Sequence, residues 1–175
     1  NFLSRYILKD KGDSTSWAWF YETFRLPLFL LIALFDFRLE VSLTSLILMF
    51  SLGITEFVSV YLYMRMHSLS ELSVSTLLSR TRLIWIPLIA FFFLRENLKA
   101  FDYLGILLLF IGVSVTTAPH KWFIDKGALY ANLAAFVIAI NVILLKLATP
   151  FASPTVILFF YSLPSVILFP LLMKD

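Results

Sequence analysis

The chain has no cysteine. That removes disulfides, thiolate nucleophiles and cysteine-ligated zinc sites in one step. Charge is also scarce: 14% of the 175 residues are Asp, Glu, Lys or Arg, against about 25% in soluble domains. Five glycines and seven prolines are too few for a disordered or collagen-like chain. No Gly-x-Ser-x-Gly, Walker-type loop or His-Glu-x-x-His spacing occurs, and the two histidines stand far apart. No enzyme, no metal site and no cofactor are therefore expected. The net charge of +3 comes from scattered cations without a basic run, so nucleic acid is not an expected partner.

What the chain has is apolar length. Hydrophobic residues make up 61% of it and the mean hydropathy is +0.92, more than one small core can hide. A bilayer core about 30 Å thick needs roughly 20 apolar residues per helix. Residues 17–35, 42–64, 72–94, 101–118, 127–148 and 154–173 meet that need. Residues 1–9 read as the last turns of a further helix, so the chain reads as a piece truncated at both ends. Apolar runs without period-two alternation exclude spanning strands. The expected fold is all-α, a polytopic transmembrane helical bundle in a lipid bilayer. Its connections are too short for an extramembrane domain, so its function lies in or across the membrane.

Charges far from helix ends carry the most information. Glu22 and Arg25 fall in the 17–35 segment, Glu56 near the centre of 42–64, and Arg80 and Arg82 near the middle of 72–94. Each costs about 2.5–3.5 kcal/mol at a lipid-facing position, so all five are expected to face the bundle interior or a hydrated cavity. Glu22 and Arg25, three apart, share a helix face and form an expected ion pair. Arg80 and Arg82 point roughly 200° apart on a helix; one is expected to face the cavity while the other meets Glu56 or snorkels. Three cations against two anions leave one positive charge, a bias toward solutes with a carboxylate or phosphate. Glu56 has a second reading, as a carboxylate that carries a coupling proton. Arg82, Arg25 and Glu56 lead the candidate substrate-binding residues, with Arg80, Tyr21 and Asn141 behind them.

Small residues mark expected helix-packing seams. Gly105 and Gly112 lie seven apart, and Gly127, Ala131, Ala135 and Ala139 form a row at every fourth residue, a spacing that lets backbones approach closely. The chain also matches itself at an offset of 140. Asn1, Thr15, Phe20, Tyr21, Leu28, Phe29 and Leu31 meet Asn141, Thr155, Phe160, Tyr161, Leu168, Phe169 and Leu171. That offset spans an odd number of helices, so a repeat related by it inserts with opposite orientation.

The stretch RLIWIPLIAFFFLRENLKAFDYLGILLLFIGVSVTT, Arg82 to Thr117, resembles the signature region of EamA-type permeases in the drug/metabolite transporter superfamily. The matching parts are an apolar helix ending in a Leu-x-Glu turn (Leu94, Arg95, Glu96), a short polar link, and Gly105 and Gly112 in the next helix. Arg25 in YETFRLPLFLLIA and Asn141 and Lys146 in KGALYANLAAFVIAINVILLK are similar to the family pattern as well. The resemblance implies a five-plus-five inverted-repeat carrier: 1–118 as the first repeat without most of its first helix, 127–175 as the start of the second. It implies a secondary transporter that moves a small metabolite by alternating access, and the expected membrane is the cell membrane. With the buried cations the solute reads as amino-acid-like or otherwise anionic; export is the expected direction, and Glu56 makes a proton one candidate coupling ion. The rival reading is a non-transporting assembly or accessory subunit whose buried charges dock a partner. Substrate, orientation and oligomeric state stay open.

Overall fold

A computed structural model describes residues 13–69, 78–95, 99–116 and 126–173. Helices are the only regular elements among them apart from one isolated bridge. In chain order these are α1 (Ser14–Ala33), α2 (Leu43–Leu69), α3 (Arg82–Leu94), α4 (Ala100–Thr116), α5 (Lys126–Ala148) and α6 (Pro154–Leu172). The partial helix expected over residues 1–9, the start of the 72–94 segment and Glu96 lie outside the described residues.

Local chemistry sets the helix ends. Asp13 caps α1: its carboxylate accepts from the backbone N–H groups of Thr15 (3.2 Å) and Ser16 (2.9 Å), two donors with no partner inside the helix. Ser153 caps α6 in an extended conformation, and Pro154 fills the first helical position, where a missing N–H costs nothing. Before α4 the Asp102 carboxylate reaches back to the Lys99 N–H at 2.8 Å, half of a capping box. At the end of α3, Arg95 takes the left-handed conformation at φ 52, a cap usually given to glycine.

Two expectations are corrected here. The segment expected to run unbroken over 72–94 is interrupted by a turn at Arg80 and Thr81. The Thr81 hydroxyl takes the Leu78 carbonyl at 2.7 Å, and the following helix starts at Arg82. Arg80 and Arg82 therefore stand at a helix start, not at mid-helix. The connection expected at 65–71 is partly helical, because α2 continues to Leu69. Among the described helices, α2, α5 and α6 are long and apolar enough to cross a membrane. The polar first turn of α1, together with Glu22, Thr23 and Arg25 in mid-helix, keeps that helix below the same hydropathy.

α2 is the centre of the bundle, packed against α5, α6 and α1, while α3 lies on α5 and α4 only touches α3. α1 and α6 run antiparallel: Ala18 sits with Phe169, Trp19 donates to the Val166 carbonyl at 3.1 Å, and Ser153 reaches the Asp36 carbonyl. That Val166 carbonyl has no helical donor because Pro170 lacks an N–H, so the indole replaces it. A similar gap at Pro164 faces α2, where Gly53 leaves room for the proline ring.

The apolar core falls into two clusters. One gathers Ala33, Met49, Leu52, Ala148, Ala152, Val156 and Ile157; the other gathers Ala18, Val60, Met64 and Phe169. Between these clusters stand the polar side chains Glu22 and Arg25 of α1, Glu56 and Ser59 of α2, and Tyr161, Ser162 and Ser165 of α6. At the first cluster's end the α1–α2 connection pairs with the α5–α6 connection through an antiparallel bridge between Leu39 and Ala152. Its bonds run from Glu40 N–H to the Phe151 carbonyl (2.7 Å) and from Ser153 N–H to the Arg38 carbonyl (2.8 Å). Outward faces carry apolar side chains such as Phe24, Phe50, Phe92 and Leu108, as lipid contact requires.

The row Gly127, Ala131, Ala135 and Ala139 is buried throughout, on the helix that packs most extensively against α2. Gly105 and Gly112 do not form such a seam among the described residues. A methyl added at either meets no atom within 4 Å, because α4 stands at the margin of the bundle.

Candidate functional site

Glu56 lies at the midpoint of α2 and is 5% exposed. An ionised carboxylate so placed needs charged or hydrogen-bonding partners, and four helices supply them. From its own helix the Ser59 hydroxyl donates to Glu56 Oε2 at 2.8 Å. From α5 the Asn141 amide donates to the same oxygen at 3.2 Å and to the Tyr161 hydroxyl of α6 at 3.3 Å. The Asn141 carbonyl oxygen accepts from the Thr55 hydroxyl. From α1, Arg25 Nη1 stands 3.6 Å from Glu56 Oε1.

Arg25 is shared. The same Nη1 donates to Glu22 Oε1 at 2.7 Å, the local pair that a three-residue spacing on a helix provides. Its guanidinium lies over the rings of Tyr21 (5.0 Å) and Phe29 (5.2 Å), where ring quadrupoles attract a cation. Tyr21 is itself 46% exposed, so it covers Arg25 from the outer side. Glu22 is fully buried and its carboxylate lies beside the Ser162 hydroxyl of α6.

Arg80 and Arg82 do not join this set. Among the described residues the ion pairs are Arg25 with Glu22 and Arg25 with Glu56, so the expected pairing of Arg80 or Arg82 with Glu56 is replaced by Arg25. The turn before α3 is the reason: it moves both arginines toward Tyr63, two helical turns along α2 from Glu56. They are held there by α5, where Asn132 accepts from the Thr81 hydroxyl (3.2 Å) and the Trp85 indole (3.3 Å). The charge sum changes sign as a result. Around Arg25, two carboxylates face one guanidinium, and the cationic excess lies at Tyr63.

Three of the residues that complete the site were not singled out by sequence reasoning. Ser59 had a signal, because it follows Glu56 by three residues on one helix face. Tyr161 and Ser162 had one too: at the offset of 140 they are the mates of Tyr21 and Glu22. No group of three or more His, Cys, Asp or Glu residues able to hold a metal ion occurs among the described residues.

A family model described as the EamA-like transporter family matches residues 2–118. Glu22, Arg25, Glu56, Arg80 and Arg82 fall inside the matched stretch; Asn141 and Tyr161 fall beyond it. Neither a curated protein nor a solved structure gave a match.

Proposed function

The chain belongs to the EamA-like transporter family and is an integral membrane protein; from that premise we propose that it is part of a secondary carrier for a small amino-acid-like metabolite, exported across the cell membrane by alternating access. One observation carries the reading. A polar layer of buried Glu22, Glu56 and Asn141 and half-buried Arg25 and Tyr161 joins four helices between two apolar clusters. Charges at mid-membrane are costly, and a bundle that only needed to pack would be served as well by apolar side chains.

The layer also supports a substrate class. With all three groups ionised, Glu22, Glu56 and Arg25 carry one negative charge in excess. An ammonium group of the solute, or a coupling cation with a proton as the simplest, neutralises it in turn. Arg82 and Arg80 offer the matching end for a carboxylate, and Tyr21 a ring beside Arg25. A zwitterionic solute meets both ends.

The five-plus-five inverted repeat, with 1–118 in the first unit and 127–175 opening the second, belongs to the same proposal. It is supported by the offset of 140, which also separates the helix caps Asp13 and Ser153, and by the antiparallel contact of α1 with α6.

The test is flux in liposomes containing the full-length protein, with amino acids, carboxylates lacking an amine and amines lacking a carboxylate. Saturable movement of the zwitterions, lost in Glu56→Gln and Arg82→Gln, is the expected result. Equal movement by these variants and wild type, or none by the wild type for any solute, overturns it.

A further inference from the structure

Arg25 occupies one oxygen of Glu22. The other, Oε2, is buried and makes no hydrogen bond. The same holds for the hydroxyls of Ser162 and Ser165 on α6, and all three residues are 0% exposed. The Glu22 carboxylate and the Ser162 hydroxyl are neighbours. Ser165 follows Ser162 by three residues and so shares its face of α6, at the level where Trp19 of α1 reaches Val166. Thr23 Oγ1 is also buried and unpaired, but it is turned about 100° from Glu22 on α1 and is left out of the set.

Unpaired buried oxygens destabilise a fold unless something ligates them. Three oxygens with lone pairs, one of them anionic, suit a hard cation and repel an anion. The charge of the cation follows from the layer: Glu22 and Glu56 against Arg25 leave one negative charge, which one monovalent ion balances and a divalent ion overshoots. A water molecule would fill the hydrogen bonds and leave that charge buried. A proton on Oε2 would balance that charge as well, and stabilisation by acid in place of sodium would mark it.

We propose that Glu22 Oε2, Ser162 Oγ and Ser165 Oγ form a binding site for one monovalent metal cation of the sodium class, between α1 and α6. The inference deepens the carrier reading by naming its coupling ion, although binding itself is measured without transport. The offset of 140 pairs Glu22 with Ser162, but nothing in residue order shows that the two helices bring them together.

The experiment is thermal unfolding of the purified full-length protein in sodium, potassium and choline chloride, at equal ionic strength and fixed pH. A ligand that binds only the folded state raises Tm with its concentration. Sodium is expected to raise Tm above the choline value, Glu22→Gln to lose that shift, and Ser162→Ala and Ser165→Ala each to reduce it. Should Glu22→Gln fail to fold, the two serine variants carry the same test. Gly105→Ala, a change in open space, keeps the full shift. Equal wild-type Tm in sodium and choline overturns the site, as does a sodium shift that survives in all three variants. Stabilisation by acid in place of sodium also overturns it and assigns Oε2 a proton. Sodium stabilisation in a protein that moves no solute leaves the site standing and removes the carrier reading; flux without sodium stabilisation does the reverse.

Discussion

Gly53 of α2 and Pro164 of α6 approach so closely that a Cβ on Gly53 would lie 2.3 Å from Pro164 Cγ. The proline ring is rigid and the Phe160 carbonyl closes the other side at 3.0 Å, so neither neighbour can yield. Gly53→Ala is expected to force α2 from α6 and to cost about 1–3 kcal/mol, as overpacking does. Thermal unfolding in detergent checks it, with Gly105→Ala as the variant expected to match wild type. Equal midpoints for all three proteins would mean that the two helices are not in this contact.

Arg25 is the shared counter-ion of two carboxylates. Arg25→Gln leaves both buried without their cation, and breaking such pairs typically costs about 3–5 kcal/mol. Adding Glu22→Gln to that variant removes one of the stranded charges, so the double variant should recover part of the lost stability. A double variant less stable than Arg25→Gln alone would contradict the pairing.

How much of this was legible beforehand depended on whether the interaction was local. The Glu22–Arg25 pair follows from a spacing of three on one helix, and Glu56 stood out as a charge in an apolar run. The link from Arg25 to Glu56 crosses helices, and nothing in residue order says which arginine reaches which acid. A turn inside an apolar segment, at Arg80 and Thr81, puts Arg80 just before α3 and Arg82 at its start, and no proline or glycine marks it. Small residues tell that a close approach is possible, not that a neighbour is there. Gly53 meets Pro164, while Gly105 faces open space. Tyr161 is visible in the sequence only as the offset mate of Tyr21, and its contact with Asn141 crosses helices.

Asn141 is the joint between α2, α5 and α6, donating to Glu56 and Tyr161 and accepting from Thr55. Asn141→Leu keeps the bulk and removes every one of these bonds. Removing the Asn141 donor from Glu56 Oε2 should lower stability by about 1–3 kcal/mol. If the layer binds the solute, the same change lowers flux more than that loss of folded protein explains. Unfolding and flux measured on one preparation separate the two effects.

Asp13 gives a pH signature outside the membrane. Partial burial alone would raise its carboxyl, but hydrogen bonds from Ser16 and Thr15 outweigh this and hold it below the ordinary value of 3.8. A carboxyl lowered by folding stabilises the protein above its unfolded value and loses that contribution as pH falls through the folded one. Asp13→Ala should therefore cost about 1 kcal/mol near neutral pH, as lost N-caps do. The gap from wild type should shrink as pH drops through 3.8 and vanish below the folded value. A gap that does not change with pH would exclude the carboxylate as the cap.

The bridge between Leu39 and Ala152 offers a direct test of movement. Its two hydrogen bonds join the residues flanking the pair, Glu40 to Phe151 and Ser153 to Arg38, so Leu39 and Ala152 themselves face each other as a non-hydrogen-bonded pair. Such pairs have Cα atoms about 4.5 Å apart, within the roughly 4.4–6.8 Å that a disulfide spans. The chain has no cysteine of its own, so no native thiol within it competes in the double variant Leu39→Cys/Ala152→Cys. Oxidation should close the bond, read as a mobility shift after cleavage between the two positions. Alternating access requires the bundle to open at each end in turn, and these loops tie α1 and α2 to α5 and α6 at one end. Flux should stop on oxidation and return on reduction. A closed disulfide with undiminished flux would mean that the loops stay together through the cycle and that the opening lies elsewhere.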